Sequence, residues 1–217
     1  KAAEASGVAT RPIQDYEAYQ DSLKRYMSHT GMFMRPVFAT AKAAPDAAKR
    51  VVFAEGEDER VLRAVQAAID EHMVQPILIG RPAVIDERIE KAGLHIHRGK
   101  DFECVDPIND PRVEAYGQAY HRFMAREGVA PRAARAAVHR SSTILGAMMV
   151  REGHASALIC GTLGRFDQHL DHVRDVIGVA PGCHDFATMN ALMLEQHTLF
   201  IADTYVNANP DAGQLAA

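Results

Sequence analysis

Three short stretches place glycine beside charged or hydroxyl side chains where a strand pattern gives way to a helix pattern, and each could hold an anion. The first is Phe53-Ala54-Glu55-Gly56-Glu57-Asp58-Glu59-Arg60. Acids in the first turn of a helix complement its dipole, and that reading suffices for Glu57, Asp58 and Glu59. Arg60 is different: a cation near a helix N-terminus opposes the dipole, so it needs a compensating anion, either one of these acids or a ligand phosphate. The second is Ile159-Cys160-Gly161-Thr162-Leu163-Gly164-Arg165-Phe166-Asp167. Backbone N–H groups in a glycine loop leading into a helix form an anion site, with Thr162 and Arg165 as side-chain candidates. A lone G-x-x-G more often only permits a turn.

The third stretch is Phe200-Ile201-Ala202-Asp203-Thr204-Tyr205-Val206-Asn207-Ala208-Asn209-Pro210. Asp203 and Asn207 could touch a ligand, although turn-building hydrogen bonds are the commoner use of Asp and Asn. Asn207 is kept as a candidate. Among 11 histidines only His169 and His172 fall near metal-ligand spacing, with His184 further on. No H-E-x-x-H pattern joins them, so packing or solvated histidines are the preferred reading. No Gly-x-Ser-x-Gly elbow occurs, and no cysteine has an evident histidine partner, so no catalytic residue is assigned.

These loops need strands behind them and helices ahead. Arg50–Ala54 reads as a buried strand, Asp58–Glu71 as a helix and Pro76–Gly80 as a second strand. Arg112–Glu127, Ser141–Glu152 and His169–Ile177 read as helices, and Ala157–Gly161 as a third strand. Such alternation predicts an α/β fold with a mostly parallel sheet and helical crossovers. Met189–Leu194 and Thr198–Ala202 fit a hairpin added to that sheet. Upstream, Tyr16, Tyr19, Leu23, Tyr26 and Met27 form the stripe of an amphipathic helix over Asp15–His29. Thr30-Gly31 and Arg35-Pro36 then interrupt the periodicity, Ala39–Lys49 reads as a linker, and the main domain boundary is expected near Pro45.

At 217 residues and 47% hydrophobic, the chain can bury a substantial core. Twenty-four Lys+Arg against 28 Asp+Glu give a net charge of -4 with no dense basic block, so nucleic acid is not an expected partner. The cysteines at positions 104, 160 and 183 are widely spaced and lack a C-x-x-C pair, as expected of reduced thiols in the cytoplasm. No apolar run has the length of a signal or membrane segment. The chain lacks a start Met, and Asn209-Pro210-Asp211 has the pattern of a helix start, so both ends are read as cuts through a larger protein.

Three stretches in order resemble the phosphate acetyltransferases: Arg50–Val65, Gly146–Gly161 and Ile201–Pro210, together spanning roughly Lys49 to Ala217. The preceding segment, Ala5–Ile13 followed by the tyrosine-rich helix and Phe33-Met34-Arg35-Pro36-Val37-Phe38, resembles the junction in large, hybrid bacterial malic enzymes where the nicotinamide-binding domain passes into a phosphotransacetylase-like tail. The resemblance implies an isocitrate/isopropylmalate dehydrogenase-like fold, first lobe only. It implies three segments: 1–12 ending the nucleotide-binding domain, 13–48 a helix and linker, and 49–217 the N-terminal part of the phosphotransacetylase-like domain. It further implies a parent chain that oxidatively decarboxylates malate to pyruvate and CO2 with NADP and a divalent metal (Mg or Mn), held outside this segment, which itself has no cofactor.

Departures from the resembling family point away from catalysis here. Active members carry an arginine where Met124 stands, four residues before Gly128, and Asp-Thr-Leu-Arg or a close variant where this chain has Gln168-His169-Leu170-Asp171. One phosphate-binding cation becomes a thioether and another an acid. A unit charge pair about 4 Å apart is worth about 4 kcal/mol at an effective dielectric near 20, so exchanging attraction for repulsion is severe. The resemblance then implies a module that senses acetyl-CoA or a related acyl-CoA, with Arg60 as first-motif arginine, in a homo-oligomer beside the malic enzyme catalytic domains of the same chain. A working phosphate acetyltransferase, separable by an acetyl-phosphate plus CoA assay, and a purely structural oligomerisation tail are the alternatives.

Overall fold

A computed structural model describes residues 6–7, 13, 15–20, 29–183, 186–194, 197–203, 206–207 and 209–216. Leu23, Tyr26 and Met27 of the expected amphipathic stripe, most of the Ala5–Ile13 junction, and Thr204, Tyr205 and Ala208 of the third stretch lie outside the described residues. The chain divides into two compact units, Thr40–His184 and, separately, Lys1–Ala39 with Asp185–Ala217.

The Thr40–His184 unit is built on a four-stranded sheet, β1 (Arg50–Phe53), β2 (Gln75–Ile79), β3 (Glu103–Val105) and β4 (Ala157–Ile159), in the order β3-β2-β1-β4. Every pairing is parallel, with Val52 opposite Ile77 and Leu158, and Ile77 opposite Glu103. Parallel neighbours require crossovers, and helices supply them. Helix α1 (His29–Ala43) precedes β1. After β1 come α2 (Glu59–Asp70) and, past β2, α3 (Pro82–Lys91). Between β3 and β4 lie α4 (Arg112–Met124), α5 (Pro131–Arg140) and α6 (Ser142–Arg151), and α7 (Phe166–Val176) follows β4.

Successive strand residues point to opposite faces, so the β1 and β2 runs feed two cores. Val52, Ile77 and Ile79 join Val113, Tyr116, Val138, Leu145 and Met148 from α4, α5 and α6. Phe53 and Leu78 join Leu62 and Val65 of α2 and Ile85 and Ile89 of α3 on the other face. Parallel strands buried on both faces read as continuous apolar runs rather than alternating ones, which is why these two stand out in the sequence.

Three expectations are corrected. Helix α1 runs through Pro36 instead of stopping at it. Proline removes one N–H donor, but Ala39, Ala41, Lys42 and Ala43 are good helix formers, so the expected linker is helical to Ala43. A 3₁₀ turn, Asp46–Lys49, then leads directly into β1. The hairpin forms, as β5 (Met189–Met193) and β6 (Thr198–Ala202), antiparallel with Ala191 opposite Phe200. It is a separate two-stranded sheet, not an addition to the parallel one. A short helix, α8 (Ala212–Ala216), starts two residues beyond Pro210. Among the described residues no helix is long and apolar enough to cross a membrane.

Candidate functional site

The strand order reverses direction at β1: the chain passes from β1 to β2 on one side, whereas β4 adds on the other. In open α/β sheets such a switch point leaves a crevice outside the carboxyl ends of the two strands, where ligands bind. Here the crevice is bordered by the β1–α2 loop, carrying Glu55 to Arg60, and the β4–α7 loop, carrying Cys160 to Arg165. Two of the three stretches picked out from the sequence therefore meet at one place.

They are joined by three cross-loop hydrogen bonds. The Ala54 N–H donates to Ile159 O at 3.0 Å, extending the ladder one step past β1. The Gly161 N–H donates to Glu55 Oε1 at 3.0 Å. Arg60 Nη2 donates to Thr162 O at 3.3 Å.

Arg60 receives its compensating anion from Asp58. The Asp58 backbone is extended (φ -78°, ψ 131°), as an N-cap requires, and its Oδ1 accepts the Arg60 N–H at 2.9 Å. The same carboxylate receives the guanidinium as a fork, Nε at 3.0 Å and Nη2 at 2.9 Å. The Arg60 hydrogen bond holds the Asp58 carboxyl well below the ordinary carboxylate value, at about 2, so it is ionised at neutral pH. Glu57 is engaged likewise: its Oε1 accepts the Arg81 N–H at 2.8 Å and Nε at 2.9 Å, its Oε2 accepts Nη2 at 2.7 Å, and the paired Arg81 lowers its pKa. The helix-dipole reading of the acids is thus incomplete, since both carboxylates are also arginine clamps.

The β4–α7 loop is held from behind by His169. Leu163 O can only accept, so His169 Nε2 carries the proton and donates to it at 2.6 Å, leaving Nδ1 to accept from the Thr143 hydroxyl at 2.8 Å. Thr143 is buried, so this bond helps to satisfy a hydroxyl removed from water. Gly164 has φ +95°, and a Cβ there would lie 2.9 Å from His169 Nε2, so the turn demands glycine on two counts. His169 thus serves as the packing histidine expected, with both ring nitrogens occupied by the chain.

The other candidates are placed differently. Thr162 contributes its carbonyl to Arg60, a contact its hydroxyl does not signal. Arg165 is exposed and pairs with Asp167, Nε to Oδ1 at 3.0 Å. Asn207 lies in the other compact unit, where its Nδ2 donates to Phe186 O at 3.0 Å, a bond to a residue 21 positions away and not a local turn. Met124 packs against the core that contains Tyr120 and Met148, and Asp171 pairs with Arg174 at 3.0 Å. Glu55 and Thr143 escaped the sequence reading, because their partners are 106 and 26 residues away.

Burial raises the thiol pKa of Cys104 to about 11 and pushes Cys160 upward as well, whereas Cys183 is exposed. Since thiolate is the nucleophile, a maleimide applied to the native chain at neutral pH is expected to modify Cys183 at least about tenfold faster than either of the others. Peptide mapping by mass spectrometry against time checks this, and equal rates at all three would contradict the packing described.

A parallel α/β sheet whose two glycine loops meet at its switch point defines the class of fold, and comparison with known proteins gives the family. The chain belongs to the phosphate acetyl/butaryl transferase family, whose family model matches residues 32–217. Over 216 residues, all of this chain, it is 48% identical to a NAD-dependent malic enzyme of Rhizobium meliloti (strain 1021) and 48% identical to a NADP-dependent malic enzyme of Escherichia coli (strain K12). It spans 28% of the length of each of those relatives. In fold it is similar to the EutD phosphotransacetylase from Staphylococcus aureus, with a TM-score of 0.72 at 20% identity, covering 84% of this chain and 54% of that one.

Proposed function

We propose that this chain is a regulatory and oligomer-forming region of a larger cytoplasmic malic enzyme, that the β1–β4 crevice binds acetyl-CoA or a related acyl-CoA as an effector, and that the region does not itself transfer acetyl groups. The malate oxidation, with NADP and a divalent metal, belongs to the rest of that protein. The observation that carries the effector reading is the position of Arg60: its guanidinium bridges both loops of the switch-point crevice while its side chain stays 68% exposed. Loss of transferase chemistry is supported by Met124 and Asp171, which stand where the resembling family has cations and are here packed or ion-paired.

The test is malate-dependent NADP reduction by the intact parent enzyme, with and without acetyl-CoA. Acetyl-CoA is expected to lower the rate of the natural enzyme, and Arg60→Ala to raise the concentration needed by about tenfold or more, as loss of a charge-assisted phosphate contact implies. An enzyme indifferent to acetyl-CoA would leave a structural role as the better account. One observation favours that second reading: the β5–β6 hairpin exposes Met189, Leu192, Phe200 and Ile201, an apolar surface suited to a subunit contact. In that case deleting the region alters the subunit number by light scattering and leaves the effector response unchanged.

A further inference from the structure

The crevice holds two donors of the kind that bind anions, and the chain's own carboxylates already occupy both. Asp58 takes the fork of Arg60, and Glu55 takes the N–H of Gly161, the glycine that opens the β4–α7 loop. Both acids come from a single four-residue stretch of the β1–α2 loop. A cap does not require the charge: asparagine accepts a helix N–H as well as aspartate does. Nor does the packing of Arg60 require it. The comparable clamp at the start of α4, Asp110 on Arg112, is reinforced by a second carboxylate, Glu103 Oε1 at 2.8 Å, and its arginine side chain is 34% exposed. Arg60 instead has a neutral carbonyl, Thr162 O, as its second partner, and faces solvent. One arginine is locked between two anions; the other is held by one anion at the mouth of a crevice.

We propose that Glu55 and Asp58 are resident counter-anions of the crevice, displaced from the Gly161 N–H and the Arg60 guanidinium when an anionic ligand group enters, so that these two acids set its affinity for phosphate-bearing ligands. The inference rests on the reading of the crevice as an acyl-CoA site. Ligand binding is then an exchange: the guanidinium of Arg60, whose side chain is 68% exposed, and the Gly161 N–H turn from their carboxylates to a phosphoryl group, while Asp58, its side chain 13% exposed, keeps its cap bond to the Arg60 N–H. The negative charge of each carboxylate subtracts from the attraction that Arg60 and the loop N–H groups exert on an incoming anion.

The experiment uses the intact parent enzyme and isosteric neutral variants, Glu55→Gln, Asp58→Asn and both together, with Arg60→Ala alongside. Calorimetric titrations with acetyl-CoA and with inorganic pyrophosphate measure Kd, and a melting curve checks each variant's fold. Glu55→Gln and Asp58→Asn are each expected to tighten acetyl-CoA by about threefold to tenfold, the scale of removing one opposing charge near the ligand, and Arg60→Ala to weaken it. Unchanged or weaker binding by folded Glu55→Gln and Asp58→Asn, together with weaker binding by Arg60→Ala, would overturn the counter-anion proposal and leave the acyl-CoA site standing. Acetyl-CoA binding that ignores Arg60→Ala, or none in any form, would overturn the site and the proposal with it. Tightening for pyrophosphate but not for acetyl-CoA would support the exchange and reassign its ligand to a free polyphosphate.

Discussion

Leu145→Ala is expected to lower the unfolding free energy of this chain by about 3–4 kcal/mol, within the range for deleting a fully buried leucine side chain. Leu145 has no exposed surface, and in α6 every residue from Thr143 to Met149 is buried. An all-round apolar helix is an interior helix, and α6 is interior: it packs on β1 and β4 and against α4, α5 and α7. Gly146 shows how close that packing is, since a Cβ there would come 3.1 Å from Val52 of β1. A helix fixed on several sides cannot collapse into the volume left by a leucine, so the cavity term adds to the lost transfer free energy. Urea unfolding followed by circular dichroism reads the effect as a midpoint lowered by more than about 1 M, given typical slopes of about 1–3 kcal/mol/M. A shift below about 0.3 M would mean that α6 is not the central helix described.

The same burial explains what the sequence could and could not disclose. Strands β1, β2 and β4 and helices α2, α4 and α6 were legible because each presents an unbroken apolar run or a wide apolar stripe. Helix α5 was not: its buried contributions are Ala134 and Val138, one small residue and one medium residue four apart among arginines and alanines. Pro131 opens it and Pro82 opens α3, each in the first helical turn, where proline is favoured. Strand β3 has three residues, one of them Glu103, whose polarity is explained only by Arg50 at 2.9 Å and Arg112 at 2.8 Å from elsewhere in the fold.

At the crevice, the demand of Arg60 for an anion followed from the helix dipole, but its satisfaction by Asp58 depends on an extended backbone at the cap. The contact through Thr162 uses a carbonyl, which every residue type carries, so side-chain identity held no sign of it. Pairing between Glu55 and Gly161 is created wholly by the strand order that sets β4 beside β1. Local chemistry could therefore nominate the two loops, and topology alone could bring them together.

That dependence on backbone approach makes Gly56 the most sensitive position in the crevice. Gly56→Ala is expected to cost about 2–4 kcal/mol and, with the crevice as the proposed effector site, to abolish the response to acetyl-CoA. A Cβ on Gly56 would stand 2.8 Å from Ile79 O and 2.9 Å from Leu78 Cβ. The obstacle is mainly backbone, so no rotamer change relieves it. Ile79 O is also the acceptor of the Gly56 N–H at 3.1 Å, so moving away from the clash breaks the bond that ties the β1–α2 loop to β2. The loop that must shift is the one that carries Glu55 and Asp58, and with them the contacts to Gly161 and Arg60. Leu145→Ala loosens the core without re-aiming these groups; Gly56→Ala re-aims them directly. In the parent enzyme, then, Leu145→Ala is expected to keep the acetyl-CoA response at temperatures where it remains folded, whereas Gly56→Ala loses it while still folded. A melting curve for this chain and an effector titration for the parent, run on both variants, separate the two. Equal loss of response from both would mean that the crevice depends on overall stability rather than on the approach of Gly56 to β2.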